Sequence, residues 1–136
     1  MNVDATIDAL AQILATVNSR EELLESLRQI NVYNQAQERS SFRLERARAA
    51  GLTFSSPRFH EALGAEQQRL TDAFTDLFIE AQNKGWMSTG VDARAAAVFV
   101  QAYTVGRVVD DIAPEKVDPE AWINLVMHVV DKAILN

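Results

Sequence analysis

A chain of 136 residues is long enough for one domain with a buried core. Hydrophobic residues make up 48% of it and charged residues 24%, an ordinary globular balance that excludes disorder over the whole length. The absence of cysteine excludes disulfides and thiolate metal sites, and a formal net charge of −6 argues against polyanions as direct partners.

Val3, Ile7, Leu10, Leu14 and Val17 recur at steps of four, three, four and three, which predicts an amphipathic helix. Asn2 or Asp4 can cap its start, and Asn18-Ser19 ends it. Ser19-Arg20-Glu21-Glu22 reads as a capping box opening a second helix through Leu23, Leu24, Leu27 and Ile30. Polarity rises at Asn31 to Gln35, where the chain bends or restarts. A third helix is expected over Glu38 to Ala50, with Gly51 as its stop. Leu52 to Pro57 is the clearest loop; Ser56 serves as a cap and Pro57 as the first helical residue of a long helix. Phe59, Leu63, Leu70, Phe74, Leu77, Phe78 and Ala81 mark its apolar face, and Asn83-Lys84-Gly85 its end. Trp86 to Val91 is a connector. Then come two apolar helices, one over Asp92 to Ile112 and one from about Asp118-Pro119-Glu120 to Leu135, joined by a turn around Pro114. The fold class is therefore all-α, about six helices in one domain over 1–136, with short loops and roughly antiparallel neighbours.

No run reaches the roughly 18 apolar residues a membrane helix needs, since Arg94, Gln101, Arg107 and Asp110 interrupt the most apolar stretch. The N-terminus shows no secretory signal, and the expected location is cytoplasmic, without membrane contact.

Residues able to carry chemistry are few. Asp110-Asp111 are adjacent on a helix, so their side chains point about 100° apart, which reads as a polar helix end rather than a catalytic pair. Either of them needs a partner such as Arg107 or Arg94 to offset its place at a helix C-terminus. His60 and His128 are the only histidines, without companions at metal-ligand spacing. Asp72, Asp76 and Glu80 form a solvated acidic row. Arg39, Arg43 and Arg46 form a basic row at steps of four and three, interleaved with Glu38 and Glu45. It is either a paired surface or a contact for an anionic ligand. No catalytic constellation, phosphate loop or cofactor motif is present, so an enzyme is not expected. Phe42, Phe74, Phe78, Phe99 and Tyr103 fall on helix faces that read as inward. Core packing explains most of them, but with Gln101 and Thr104 nearby they also suit an apolar cavity with sparse polar groups.

Four stretches in the second half carry a family resemblance. They are Arg69-Leu70 through Ile79-Glu80-Ala81-Gln82-Asn83-Lys84-Gly85-Trp86, Asp92-Ala93-Arg94-Ala95-Ala96-Ala97-Val98-Phe99, Gly106-Arg107-Val108-Val109-Asp110-Asp111 and Val117-Asp118-Pro119-Glu120-Ala121-Trp122. Together they resemble the C-terminal regulatory domain of TetR/AcrR-type transcriptional repressors: a long helix ending in a Gln-x-x-Gly turn, an alanine-rich helix with a mid-helix glycine, a short loop and a last amphipathic helix. The resemblance covers residues 40–136, and residues 1–39 only loosely. It implies a homodimer whose last two helices pair with their copies as a four-helix bundle, and a pocket for a small effector that controls DNA binding by an N-terminal helix-turn-helix domain. No helix-turn-helix precedes the regulatory helices, and Met1 falls where the linking helix after one would begin. The chain is then either a piece of a longer regulator or a stand-alone relative, contacting no DNA itself. On this reading Phe42, Phe74, Phe78, Phe99 and Tyr103 line the effector site, and the effector is apolar or aromatic. Gly106, Val109, Trp122, Leu125, Val126, Val129 and Ala133 form the dimer seam. The alternative is a helical adaptor or dimerisation module that binds no small molecule.

Overall fold

The computed structural model describes residues 2–135, and it is helical throughout its regular parts. Helix α1 spans Val3–Thr16, α2 Arg20–Gln35, α3 Ser40–Leu52 and α4 Pro57–Asn83. Helix α5 spans Ala93–Gly106, the one-turn α6 Val108–Asp111 and α7 Pro119–Val129. Among the described residues there is no strand; a single antiparallel bridge pairs Met87 with Leu135.

The helix starts are where the capping chemistry puts them. Asn2, Ser19, Ser56, Asp92 and Asp118 each accept a bond from a backbone N–H in the first turn of the helix they open. At Ser19 the Glu22 carboxylate reaches back past the cap, accepting from the Asn18 N–H and the Ser19 hydroxyl, each at 3.2 Å. Pro57 and Pro119 sit in the first turns of α4 and α7, where a missing N–H removes no helical bond.

Three boundaries differ from expectation. Gly51 does not stop α3, which runs to Leu52 and passes into a 3₁₀ turn over Thr53–Ser55. Its φ is not positive, and glycine ends a helix sharply only when it enters the left-handed region. The helix expected over 92–112 breaks at Arg107 into α5 and α6, just past Gly106, the weakest helix former in the segment. The last helix ends at Val129 and continues as a π turn over Val130–Ile134, whose closing bond runs from the Leu135 N–H to the Val130 carbonyl at 2.8 Å.

Helix α4 is the axis of the fold: α1 packs along one side of it and α5 along another, with α2 against α7 and α3 against α5 and α6. The core runs from Leu10 to Leu135 and centres on Leu77, Phe78 and Ala97. Turnover from α4 to the connector depends on Gly85, whose φ is +78°. A Cβ there meets nothing within 4 Å, so only backbone strain opposes one. Gly85→Ala is expected to lower stability by about 1–2 kcal/mol, readable as a shift in a urea unfolding midpoint; an unchanged midpoint would show that the turn relaxes freely.

Candidate functional site

A mostly apolar cleft of about 480 Å³ opens between the start of α1, the outer face of α3, the first half of α4 and the end of α5. On α3 it is walled by Phe42, Arg46, Ala49 and Ala50; on α4 by His60, Leu63 and Gln67; on α5 by Val105. Phe42, Arg46 and Val105 also line an inner chamber of about 70 Å³, which reaches Leu70, Phe74, Val100, Gln101 and Thr104. The outer cleft falls within the range of small-molecule sites, mostly apolar with a few placed polar groups.

The polar groups form one connected line. Arg46 donates from Nη2 to Gln67 Oε1 at 2.9 Å. Gln67 Nε2 donates to Gln101 Oε1, and Gln101 Nε2 donates to Thr71 Oγ1 at 3.1 Å and to the Ala97 carbonyl at 2.9 Å. An arginine only donates, so it dictates that the carbonyl end of Gln67 faces it. The order of the relay follows from that one constraint.

Beside the cleft lies a second polar assembly. Arg43 is 1% exposed and forks onto Asp111, Nε to Oδ2 at 2.8 Å and Nη2 to Oδ1 at 2.7 Å. Its Nη1 donates to the Asn34 and Ala36 carbonyls, at 3.0 and 2.9 Å. The Asn34 carbonyl lies in the last turn of α2, and the Ala36 carbonyl, just past it, also accepts from the Arg39 N–H at 3.0 Å. One side chain thus joins α2, α3 and α6. The hydrogen bond from Arg43 holds the Asp111 carboxyl below the usual carboxylate range, against the opposing effect of burial. Arg107 is buried next to the pair, 3.9 Å from Asp110; burial and the charge of Arg43 lower its pKa, and the two aspartates raise it. Asp110 Oδ1 accepts from the Val117 N–H at 2.9 Å and closes the loop around Pro114.

The three arginines of the basic row therefore have three different surroundings. Arg39 lies over the rings of Tyr33 and Phe42, 4.7 and 4.2 Å from their centroids. Arg43 is consumed by Asp111. Arg46 faces the cleft.

The five residues expected to line an effector site do not share one cavity: Phe74, Phe78 and Tyr103 line a small void of about 20 Å³ in the core, and Phe42 and Phe99 do not reach it. Phe42 lines both compartments, and Phe74 lines the inner chamber and the core. Phe78 is fully in the core. Tyr103 is partly buried against that core, where its hydroxyl donates to Asn31 Oδ1 and burial pushes the phenol pKa up, so it remains a donor. Phe99 lies on the outer face of α5 at 46% exposure, edge-on to Tyr103, and the structure does not bring it to the cleft. Sequence reasoning passed over Leu63, Gln67 and Val105 and left Arg46 undecided. A signal existed: Phe42, Arg46, Ala49 and Thr53 stand at steps of four, three and four, which puts Arg46 on the same face of α3 as the small residues of the cleft wall.

The seam residues also divide. Gly106, Val109, Leu125 and Ala133 are exposed, and Trp122 and Val129 are half-buried. Val126 belongs to the core of the single chain, and Trp122 donates from Nε1 to Gln35 Oε1 at 2.8 Å within it. On α5 the exposed positions Ala95, Val98, Phe99, Ala102 and Gly106 fall at steps of three, one, three and four, one apolar stripe with no cover from this chain.

Among the described residues no group of three histidine, cysteine or acidic side chains could hold a metal, and no helix is long and apolar enough to cross a membrane. Comparison of the chain with protein-family models, with curated proteins and with solved structures gave no match.

Proposed function

We propose that the chain is the effector-sensing and dimerisation domain of a TetR-type transcriptional regulator, most simply a repressor. A small apolar or aromatic effector occupies the cleft, and a second copy of the chain covers the outer stripe of α5. DNA is bound by a separate N-terminal helix-turn-helix domain, not by these helices. The observation that carries this reading is the cleft itself, a mostly apolar opening with one connected polar line on its wall. The linkage between cleft and stripe supports it: α3 supplies Phe42 and Arg46 to the cleft and Arg43 to the bond with Asp111, one short turn beyond α5. An effector that favours one position of α3 then shifts the population of α6 arrangements, which is how binding at one site acts at another.

A thermal-shift screen of neutral apolar and aromatic compounds tests the cleft. Ligands are expected to raise the melting temperature, by the equivalent of about 2.7 kcal/mol at 100 times the dissociation constant. Ala50→Trp at the cleft wall, an exposed position on α3, is expected to abolish the shift while leaving the unliganded melting temperature close to wild type. A flat screen would favour the adaptor, in which the same apolar stripe takes a different protein and no small molecule.

A further inference from the structure

We infer that the cleft selects an amphipathic anion, a carboxylate attached to an apolar chain or ring, with Arg46 as the group that reads the charge. The inference rests on the cleft being a ligand site and adds the chemical class of the ligand.

The basic row contains three guanidiniums, Arg39 in the turn before α3 and Arg43 and Arg46 on α3. Arg43 forks onto Asp111 deep in the fold, and Arg39, stacked on Tyr33 and Phe42 with its Nε and Nη2 buried and unbonded, lines neither compartment. Arg46 differs from both. It has five N–H donors, and the one protein bond it makes goes to a neutral amide oxygen, Gln67 Oε1. Among the described residues no carboxylate stands within ion-pair distance of it, although Glu45 and Glu66 border the same opening. Glu45 is turned to Arg48, at 3.0 Å, and Glu66 is exposed. The acids belong to the rim, whereas Arg46 lines both the outer cleft and the inner chamber. Among the described residues Arg46 is the one arginine or lysine that lines both compartments, and no carboxylate offsets it.

Its surroundings hold it ready. The relay through Gln67, Gln101 and Thr71 anchors Arg46 to the walls of α4 and α5, so its guanidinium keeps one orientation instead of sampling rotamers. A carboxylate matches the planar fork left over, and the apolar walls from Phe42, Leu63 and Val105 take the rest of the molecule. A cation with the same tail meets Arg46 as a like charge. A neutral alcohol gains the walls but no charge-assisted bond.

Decanoate, decanol and decyltrimethylammonium, titrated calorimetrically into the full chain, separate these cases. Decanoate is expected to bind at least tenfold more tightly than decanol, and the ammonium compound most weakly. Arg46→Gln is expected to remove that preference without weakening decanol binding, and Arg46→Lys to restore part of it, since the charge returns without the fork. Equal affinity for decanoate and decanol in the wild type, or a preference that survives Arg46→Gln, overturns the anion selectivity and leaves the cleft as an apolar site. Failure of all three compounds to bind overturns both the selectivity and the cleft as a ligand site.

Discussion

Arg43→Met is expected to lower stability by about 3–5 kcal/mol, because it leaves the Asp111 carboxylate buried with no opposite charge against it. The side chains of the pair are 1% and 3% exposed, so water cannot take over the lost bonds. The same change removes the side-chain bonds to the Asn34 and Ala36 carbonyls, the second of which keeps the Arg39 N–H. Removing both partners in Arg43→Met/Asp111→Leu is expected to recover much of it, since an apolar pair carries no desolvation penalty for ions. Denaturant unfolding of the four proteins gives the coupling directly as a double-mutant cycle. Acid supplies an independent check. The folded Asp111 carboxyl is held below its unfolded value, near 3.9, so its contribution is complete above about pH 5 and is lost as pH falls toward the folded pKa. The stability gap between wild type and Arg43→Met is therefore constant through neutral pH and narrows in acid. A single-variant loss under about 1 kcal/mol, or a gap unchanged at pH 3, would remove the bridge as a structural lock.

That lock also shows where sequence reading stops. Helix starts depend on residues one to three positions apart, so Ser19 and Ser56 were legible as caps, Asn2 as one of two candidates, and the starts near Asp92 and Asp118 as helix bounds. Arg43 is not legible in this way. It stands in a segment of alternating charge that reads as solvated, and its partner is 68 positions away. Only the break of the chain at Arg107 brings Asp111 toward α3. The same break shortened the helix expected over 92–112, and propensity alone registers Gly106 as a weakness, not as a turn. For the cleft, the apolar period identified Phe42 and Phe74, but α5 is apolar on nearly every side, so period cannot decide which of its faces is inward. Phe99 was assigned to the interior on that account and lies outside. Polar residues on an apolar face, Arg46 and Gln67, carry more information about the cleft than the aromatic ones do.

The outer stripe leads to the second large effect. Val109→Glu is expected to weaken self-association at least 100-fold, about 2.8 kcal/mol, with helix content unchanged. Val109 is 74% exposed in the single chain, so a carboxylate there disturbs nothing internal. In a two-fold dimer each change appears twice, and on an isologous patch the two charges are brought near one another. Leu125→Glu, at 56% exposure on α7, tests whether the last helix shares the contact. Val126→Glu behaves differently despite being its neighbour. Val126 is 5% exposed, and a charge buried in the core unfolds the chain instead of separating copies. Trp122→Glu likewise breaks the bond to Gln35 and lowers stability before it reports on association. Sedimentation equilibrium distinguishes these outcomes against a 15.1 kDa monomer. Wild type that sediments as monomer at micromolar concentration would leave the α5 stripe without a second copy as its cover, and Val109→Glu and Leu125→Glu that both remain dimeric would take α6 and α7 out of the contact. If Leu125→Glu alone dissociates the dimer, the contact centres on α7 and the stripe on α5 faces another occupant. Separation by both, with Val126→Glu unfolded, places the two-fold contact across α5, α6 and the outer edge of α7, beside the Arg43–Asp111 lock that ties this corner to the cleft.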